Sequence, residues 1–351
     1  MARTNSRDRS AADQVSRKRG ALWLIRRTII LTAGAVILVV AWLFYFAFTP
    51  LTIPETARQL QVGPGSSYHT VARQLVANGV LRERLTFIAL GRLQGKGATV
   101  KAGVYELPET ISALALIQKI ARGDVLIAEI TFIEGWTFSQ LRAALDANPA
   151  VRHDTAGLSE VEILQRLKAP ETHAEGLFFP DTYRFNSGAS DLQILARAYQ
   201  TMHTRLQSAW DQRSADLPYA TPYEALIMAS IVEKETGRPE DRKLIAAVFV
   251  NRLKRGMRLQ TDPTVIYGMG ASFDGNLRKQ DLLQDGPYNT YTRTGLPPTP
   301  IALTGQAALD AALVPAPSAA LYFVSRGDGT SYFSETLEEH NRAVRKYQLK
   351  H

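Results

Sequence analysis

The stretch that decides the fold covers residues 221–237 and reads TPYEALIMASIVEKETG. Its opening threonine is a helix cap, Pro222 suits the first helical position, and Glu224 completes a capping box, so a helix is predicted to start here. Apolar residues then fall on every face of residues 225–232, which predicts a helix that is buried in a larger core. The closing glycine predicts its end.

Two glutamates stand at the end of this predicted helix. Glu233 continues a mostly apolar stripe that includes Leu226 and Ala229. Burial disfavours a charged carboxylate and raises its pKa, and a protonated carboxyl at neutral pH is what a glycosidase needs to protonate a leaving oxygen. Glu235 lies about 200° around the helix from Glu233, so the two do not easily serve one site. The alternative is a helix-end glutamate that reaches solvent or pairs with a neighbouring cation, and spacing alone does not choose between Glu233 and Glu235.

Further candidate site residues lie in two loops after this helix. Gln260 and Asp262 occupy a predicted turn, where they are candidates to line a cleft; for Asp262 the alternative is that it only caps the helix that Pro263 starts. Asn289 and Tyr291 lie in a stretch rich in glycine and proline, and loops of this kind often carry binding residues. Tyrosine rings suit stacking on sugar faces, although a buried loop anchor is an equally ordinary role.

The C-terminal region predicts a hairpin and a helix. Residues 321–325 and 330–334 flank the sequence Arg-Gly-Asp-Gly, which is typical of a hairpin loop. Thr336 and Glu339 form a capping box for a final helix.

The N-terminal region predicts a membrane anchor. Residues 28–48 contain no charge and are long enough to cross a hydrocarbon core. Eight basic and two acidic residues precede this span, so residues 1–27 are predicted to be a cytoplasmic basic tail and the chain after residue 50 to be exported. The first 20 residues, poor in apolar groups, are predicted to be disordered.

Composition excludes several function classes. The formal net charge is +8, but the residues after position 27 carry 33 basic and 31 acidic side chains, so a nucleic-acid partner is not expected. The absence of cysteine excludes a disulfide framework and a thiol nucleophile. The histidines show no spacing typical of metal ligands, and neither a metal nor a cofactor is expected.

Residues 51–108 predict a small module in the order strand, helix, helix, strand. This order resembles a LysM module, which binds glycans that contain N-acetylglucosamine; support of packing is the alternative role. A comparable pattern recurs 70 residues later, over residues 125–185, where Gly135 and Thr137 correspond to Gly65 and Ser67.

A set of ordered motifs resembles the endolytic murein transglycosylase family, also called YceG-like. The similarity rests on residues 175–183 (EGLFFPDTY), 229–236 (ASIVEKET), 250–253 (VNRL), 257–268 (MRLQTDPTVIYG), 288–291 (YNTY) and 294–298 (TGLPP). The resemblance implies an α+β protein with a single N-terminal transmembrane helix, the LysM-like module, and a mainly helical catalytic domain similar to lytic transglycosylases over residues 125–351, with a C-terminal β-hairpin.

The resemblance also implies an activity. Its catalytic glutamate falls on Glu233, which would cut the bond between N-acetylmuramic acid and N-acetylglucosamine in nascent peptidoglycan strands and leave 1,6-anhydro-N-acetylmuramic acid ends, thereby ending strand elongation. Gln260, Asp262, Asn289 and Tyr291 are the candidate substrate contacts. The implied partners are peptidoglycan and the cell-wall synthases (penicillin-binding proteins), and the implied location is the inner membrane with the catalytic domain in the periplasm.

Two other functions stay open. The first is a hydrolytic muramidase in which Asp262 or Asp181 is the second carboxylate. The second is a non-catalytic, membrane-anchored scaffold that binds peptidoglycan through its LysM-like module.

Overall fold

A computed structural model describes residues 7–95 and 100–349 of the chain. The chain divides into two compact units, one up to Leu126 and one from Ile127. Both units mix helices and strands, and each is described by itself.

The first unit begins with one long helix, α1 (Arg7–Phe48). Its segment Arg26–Phe48 is long and apolar enough to cross a membrane, which is compatible with the predicted single-pass anchor. Most of the apolar side chains of this segment are exposed, and Leu38, for example, is 72% exposed, whereas Ala47 near its end is buried in the core of the unit. The prediction of disorder over the first 20 residues is wrong from Arg7 onward. A helix that has nucleated in the apolar segment gains one hydrogen bond for each residue it adds, so it continues through residues that would not form a helix alone.

The remainder of the first unit contains the predicted order of strand, two helices and strand. Strands β2 and β3 pair antiparallel on either side of α2 and α3 in the sequence. A second antiparallel pair, β1 with β4, and a further helix continue the unit beyond the predicted boundary at residue 108. The elements are β1 (Pro50–Thr52), β2 (Gln59–Val62), α2 (Tyr68–Ala77), α3 (Leu85–Leu93), β3 (Gly103–Glu106), β4 (Thr110–Ser112) and α4 (Ala113–Arg122).

The second unit opens with a similar order of elements. Strands β5 and β7 pair antiparallel, as β2 and β3 do, and two helices separate them in the sequence. Thr137 caps α5 just as Ser67 caps α2, as the recurrence predicts. The elements are β5 (Ile127–Thr131), α5 (Phe138–Ala147), β6 (Val151–Arg152), α6 (Glu160–Leu167), β7 (Thr182–Asn186) and β8 (Ala189–Ser190), and β6 pairs parallel with β8.

The rest of the second unit is mainly helical and packs around α8. Helices α7, α9, α10 and α12 all contact α8, and the predicted C-terminal hairpin is formed by β9 and β10. The elements are α7 (Asp191–Asp211), α8 (Pro222–Glu235), α9 (Pro239–Lys254), α10 (Asp262–Met269), α11 (Lys279–Leu283), α12 (Gln306–Leu313), β9 (Tyr322–Ser325), β10 (Ser331–Ser334) and α13 (Leu337–Tyr347).

Helix α8 has the buried position that its sequence predicts. Thr221 caps it through a hydrogen bond from the backbone N–H of Glu224, and Pro222 is its first residue. Every residue from Ala225 to Val232 is buried. The glutamates follow this buried run directly, so the core fixes the end of the helix that carries them.

Candidate active site

The two glutamates at the end of α8 face different neighbours. Oε2 of Glu235 accepts a hydrogen bond from the hydroxyl of Thr261 at 2.7 Å, in the segment before α10. Oε2 of Glu233 accepts one from the backbone N–H of Gly305 at 2.9 Å, at the start of α12. This divergence follows from their separation of about 200° around the helix.

Glu235 faces a groove of about 620 Å³. Three of the four predicted substrate contacts line the same groove, namely Gln260, Asp262 and Tyr291. The groove therefore joins the end of α8, the start of α10 and the loop after α11. Such a mixture of carboxyl, amide and phenol groups in a concave surface suits a polar, hydroxyl-rich ligand.

Asp262 and Tyr291 form a hydrogen-bonded pair at the groove. Asp262 is the first residue of α10, and its side chain does not cap that helix. Oδ1 of Asp262 accepts the phenol proton of Tyr291 at 2.5 Å. Of the two roles considered for Asp262, the geometry therefore favours the groove over the cap.

Gln260 is held in a constrained conformation beside this pair. Its φ of 53° lies in the left-handed region, which is uncommon for a residue other than glycine. Its backbone N–H donates to the carbonyl of Thr290 at 3.1 Å, and its side-chain oxygen accepts from Nη1 of Arg252 at 3.3 Å. These contacts stabilise the conformation and leave the amide nitrogen of Gln260 available to the groove.

Asn289 lies outside the groove and supports its rim. It is 4% exposed, and its amide nitrogen donates to the carbonyls of Leu282 and Gln284 at 3.2 and 2.6 Å. Its side-chain oxygen accepts from the backbone N–H of Tyr291 at 2.8 Å. These contacts make Asn289 a loop anchor that positions Tyr291.

The surroundings of Glu235 favour its protonated form. Burial raises the pKa of Glu235 above its ordinary value of 4.5, the nearby Asp262 carboxylate raises it further, and the hydrogen bond from Thr261 opposes them. Glu235 is also the last residue of α8, where the helix dipole disfavours a negative charge.

Glu233 is also enclosed, and it has cationic neighbours. Its side chain is 6% exposed, and Oε1 lies 4.0 Å from the guanidinium of Arg242. Burial raises the pKa of Glu233, while the hydrogen bond from Gly305 and the charges of Arg242 and Lys234 oppose that rise. The low exposure of Glu233 agrees with the apolar stripe that its sequence position continues. Glu233 does not line the groove that holds Gln260, Asp262 and Tyr291.

Glu175 is a third buried carboxyl group, which the spacing arguments did not single out. It is 6% exposed and accepts hydrogen bonds from the backbone N–H of Phe138 at 3.0 Å and from the hydroxyl of Tyr267 at 3.1 Å. Burial raises the pKa of Glu175 to about 7. Glu175 thereby joins the start of α5 to α10, the helix that begins with Asp262.

Glu175→Gln is expected to change how stability depends on pH. Because the folded state holds the proton of Glu175 up to about pH 7 and the ordinary value is 4.5, the wild type loses stability as pH rises through this window. The variant lacks that proton, so its melting temperature relative to the wild type should rise between pH 5 and pH 8. Thermal unfolding of both proteins at each pH measures this, and parallel pH profiles would contradict it.

The groove also contains residues that the sequence did not predict. Arg252, Tyr322 and His340 line the groove from α9, β9 and α13, which are far apart in the sequence. Asp181, one of the two carboxylates considered for a hydrolytic reaction, is exposed next to β7 and does not line the groove. Arg252 lies in one of the family motifs, but nothing in its spacing indicated that it faces the same groove as Glu235.

Comparisons with known proteins agree on one family. The YceG-like family model matches residues 60–346. An endolytic murein transglycosylase from Bacillus subtilis is 34% identical over 312 residues, covering 84% of this chain and 85% of that protein. One from Streptococcus pneumoniae is 27% identical over 317 residues, covering 81% of this chain but only 57% of its own length. The crystal structure of a YceG-like protein from Listeria monocytogenes has a TM-score of 0.52 and 30% identity, covering 81% of this chain and 97% of that one.

The class of the protein follows from these relatives and from the family model. The chain is an enzyme of the lytic transglycosylase class. More narrowly, it belongs to the YceG-like family, whose model matches more than four fifths of its length. The family expected from the sequence motifs is thereby confirmed.

Proposed function

We propose that this protein cuts peptidoglycan glycan strands internally, between N-acetylmuramic acid and N-acetylglucosamine, and that Glu235 is its general acid. The single observation that carries the proposal is the position of Glu235, a half-buried carboxyl that faces a groove lined by Gln260, Asp262 and Tyr291. The names of the curated relatives support the substrate.

One carboxyl group is sufficient for the reaction. Protonated Glu235 gives its proton to the bridging oxygen as the bond from that oxygen to C1 of the muramic sugar breaks. The carboxylate then takes the proton of the C6 hydroxyl as that oxygen bonds to C1. The product is a 1,6-anhydro-N-acetylmuramic acid end, no water is consumed, and Glu235 regains its proton. Attack within one sugar benefits from proximity.

The neighbours of Glu235 suit this cycle. Thr261 holds one carboxyl oxygen at 2.7 Å, which fixes the direction of the acid. The carboxylate of Asp262 faces the same groove, where it raises the pKa of Glu235 and can stabilise positive charge that develops at C1. The ring of Tyr291 and the amide of Gln260 are the candidates for binding the sugars.

Glu233, which the family motif pointed to, stays the competing candidate for the acid. Its contacts with Gly305 and Arg242 support a structural role in which it ties α8 to α12 and α9. Glu235 has no cation within 4.0 Å among residues 7–95 and 100–349, and it lines the groove. These two differences favour Glu235.

The proposal extends to where the enzyme acts. The apolar segment Arg26–Phe48 supports a single-pass anchor in the inner membrane. The basic residues before it favour a cytoplasmic N-terminus and a periplasmic catalytic unit. An anchored enzyme of this kind meets strands as the synthases make them, so cleavage ends elongation. The strand, helix, helix, strand order of the first unit supports glycan binding by a LysM-like module.

A hydrolytic muramidase is the second candidate, because Asp262 lines the groove with Glu235 and offers a second carboxylate. Product analysis separates the two reactions. Purified glycan strands are digested with the full chain in detergent, and the new ends are identified by mass spectrometry. We expect anhydro ends, which are lighter by one water than hydrolysed ends. Reducing ends that incorporate labelled oxygen from water would instead establish hydrolysis.

A further inference from the structure

Arg252 is a buried cation at the wall of the groove. It is 8% exposed, and two of its three side-chain nitrogens donate to backbone carbonyls. Nε donates to the carbonyl of Leu321 at 2.7 Å, and Nη1 donates to the carbonyl of Leu259 at 2.9 Å and to the side-chain oxygen of Gln260 at 3.3 Å. These bonds fix the plane of the guanidinium, because its five N–H groups form a rigid fork.

Arg252 lines the groove, and its remaining nitrogen, Nη2, makes no hydrogen bond within the described part of the chain. Among residues 7–95 and 100–349, no acceptor binds Nη2, although it is not closed off from solvent. Over the same residues no carboxylate lies within 4.0 Å of Arg252. Buried charged groups are ordinarily paired, so a buried arginine held only by neutral acceptors points to a partner that arrives from outside.

Aromatic side chains hold the guanidinium in place. The ring of Tyr322 lies under it, with 5.1 Å between the guanidinium carbon and the ring centroid, and His340 stacks on Tyr322 at 5.2 Å. Both rings belong to the C-terminal hairpin and the helix that follows it. The groove thus presents a rigid cation and the carboxyl groups of Glu235 and Asp262 to one ligand.

We propose that Nη2 of Arg252 binds the carboxyl-derived oxygen of the lactyl group on N-acetylmuramic acid and so makes the enzyme specific for that sugar. The inference rests on the proposed function. The two sugars of the strand differ at this lactyl group, which ends in a carboxylate on bare strands and in an amide carbonyl on strands that carry peptide. N-acetylglucosamine offers no such group. A sugar that covers Nη2 removes its water, so a sugar without the lactyl group leaves this donor unpaired and its desolvation uncompensated, which discriminates strongly.

The first test changes the substrate and leaves the protein intact. The full chain in detergent is given bare strands, peptide-bearing strands, and bare strands whose lactyl carboxylates have been reduced to alcohols. We expect reduction to lower kcat/KM roughly 10- to 100-fold, mainly through KM. A preference for bare over peptide-bearing strands identifies the carboxylate as the ligand, and equal rates identify the carbonyl. Equal cleavage of all three strands would overturn the proposal.

The second test separates specificity from a structural role. Arg252→Gln should bring the rates on native and reduced strands close together, whereas a merely structural defect lowers both equally. Arg255→Gln, an exposed arginine one turn later on the same segment, is the matched control and should keep the wild-type ratio.

A binding measurement distinguishes failure of this proposal from failure of the proposed function. Glu235→Gln in detergent is titrated with a muramic-acid disaccharide and with its carboxyl-reduced form. Tighter binding of the unreduced form supports the role of Arg252 even if the wild type cleaves no strand, a result that would reject only the proposed reaction. Equal affinity for both forms overturns the role of Arg252.

Discussion

Glu235→Gln is expected to lower kcat roughly 10²- to 10⁴-fold, the range that a general acid contributes. The amide keeps the shape of the side chain and the hydrogen bond to Thr261, but it has no proton to give to the bridging oxygen. Glu233→Gln is the matched control on the same helix turn, because its amide oxygen still accepts from Gly305. We expect Glu233→Gln to retain most of its turnover, measured as new strand ends released per unit time.

The pH profile gives the same assignment a second readout. Because the acid must be protonated, kcat/KM should fall as pH rises through the raised pKa of Glu235. Glu233→Gln should keep this midpoint, since its own carboxyl is not the titrating group. Thermal unfolding of both variants excludes a folding defect. Collapse of turnover in Glu233→Gln together with full activity in Glu235→Gln would transfer the acid to Glu233, as the family motif suggested.

Local sequence signals predicted much of the fold. The start of α8 at Thr221, the hairpin of β9 and β10, and the final helix capped by Thr336 all match their predictions, since caps and turns depend on residues a few positions apart. The order of elements in the first unit was also correct, although β4 and α4 were missed. Helix α4 adds Leu116 and Ile120 to the core of the first unit. These residues are buried by tertiary contacts, which local sequence signals do not show.

The site was harder to predict because its contacts join distant segments. Helix geometry correctly predicted that Glu233 and Glu235 face different sides of α8. Their partners, however, are distant in the sequence: Thr261 lies 26 residues from Glu235, and Gly305 lies 72 residues from Glu233. The sequence therefore did not indicate which side of α8 carries the groove. Asn289 shows the same limit, since its loop position predicted a substrate contact, whereas its side chain is buried and hydrogen-bonded within the loop. The partners of Arg252 were likewise invisible, because they include a carbonyl 69 residues away.

Gly176→Ala is expected to lower the stability of the second unit more than Gly157→Ala, which adds the same methyl group. Gly176 has a φ of 77°, and a Cβ there would meet the Cβ and Cγ of Pro300 at 2.4 and 2.8 Å. The proline ring is stiff and cannot turn aside. Ile301, the next residue, donates its N–H to the hydroxyl of Ser230 in α8 at 3.0 Å, so displacement of this loop disturbs the helix that carries the glutamates.

Gly157→Ala separates backbone strain from the clash with Pro300. Gly157 has a nearly equal φ of 76°, but a Cβ there would meet no atom within 4 Å. Strain alone costs about 1–2 kcal/mol, and overpacking adds about 1–3 kcal/mol, which only Gly176→Ala incurs. At roughly 2–4 °C per kcal/mol for a unit of this size, the two melting temperatures should differ clearly in thermal unfolding of the full chain. Equal losses would mean that Pro300 moves freely, and the loop beside α8 would then be no rigid support for the site.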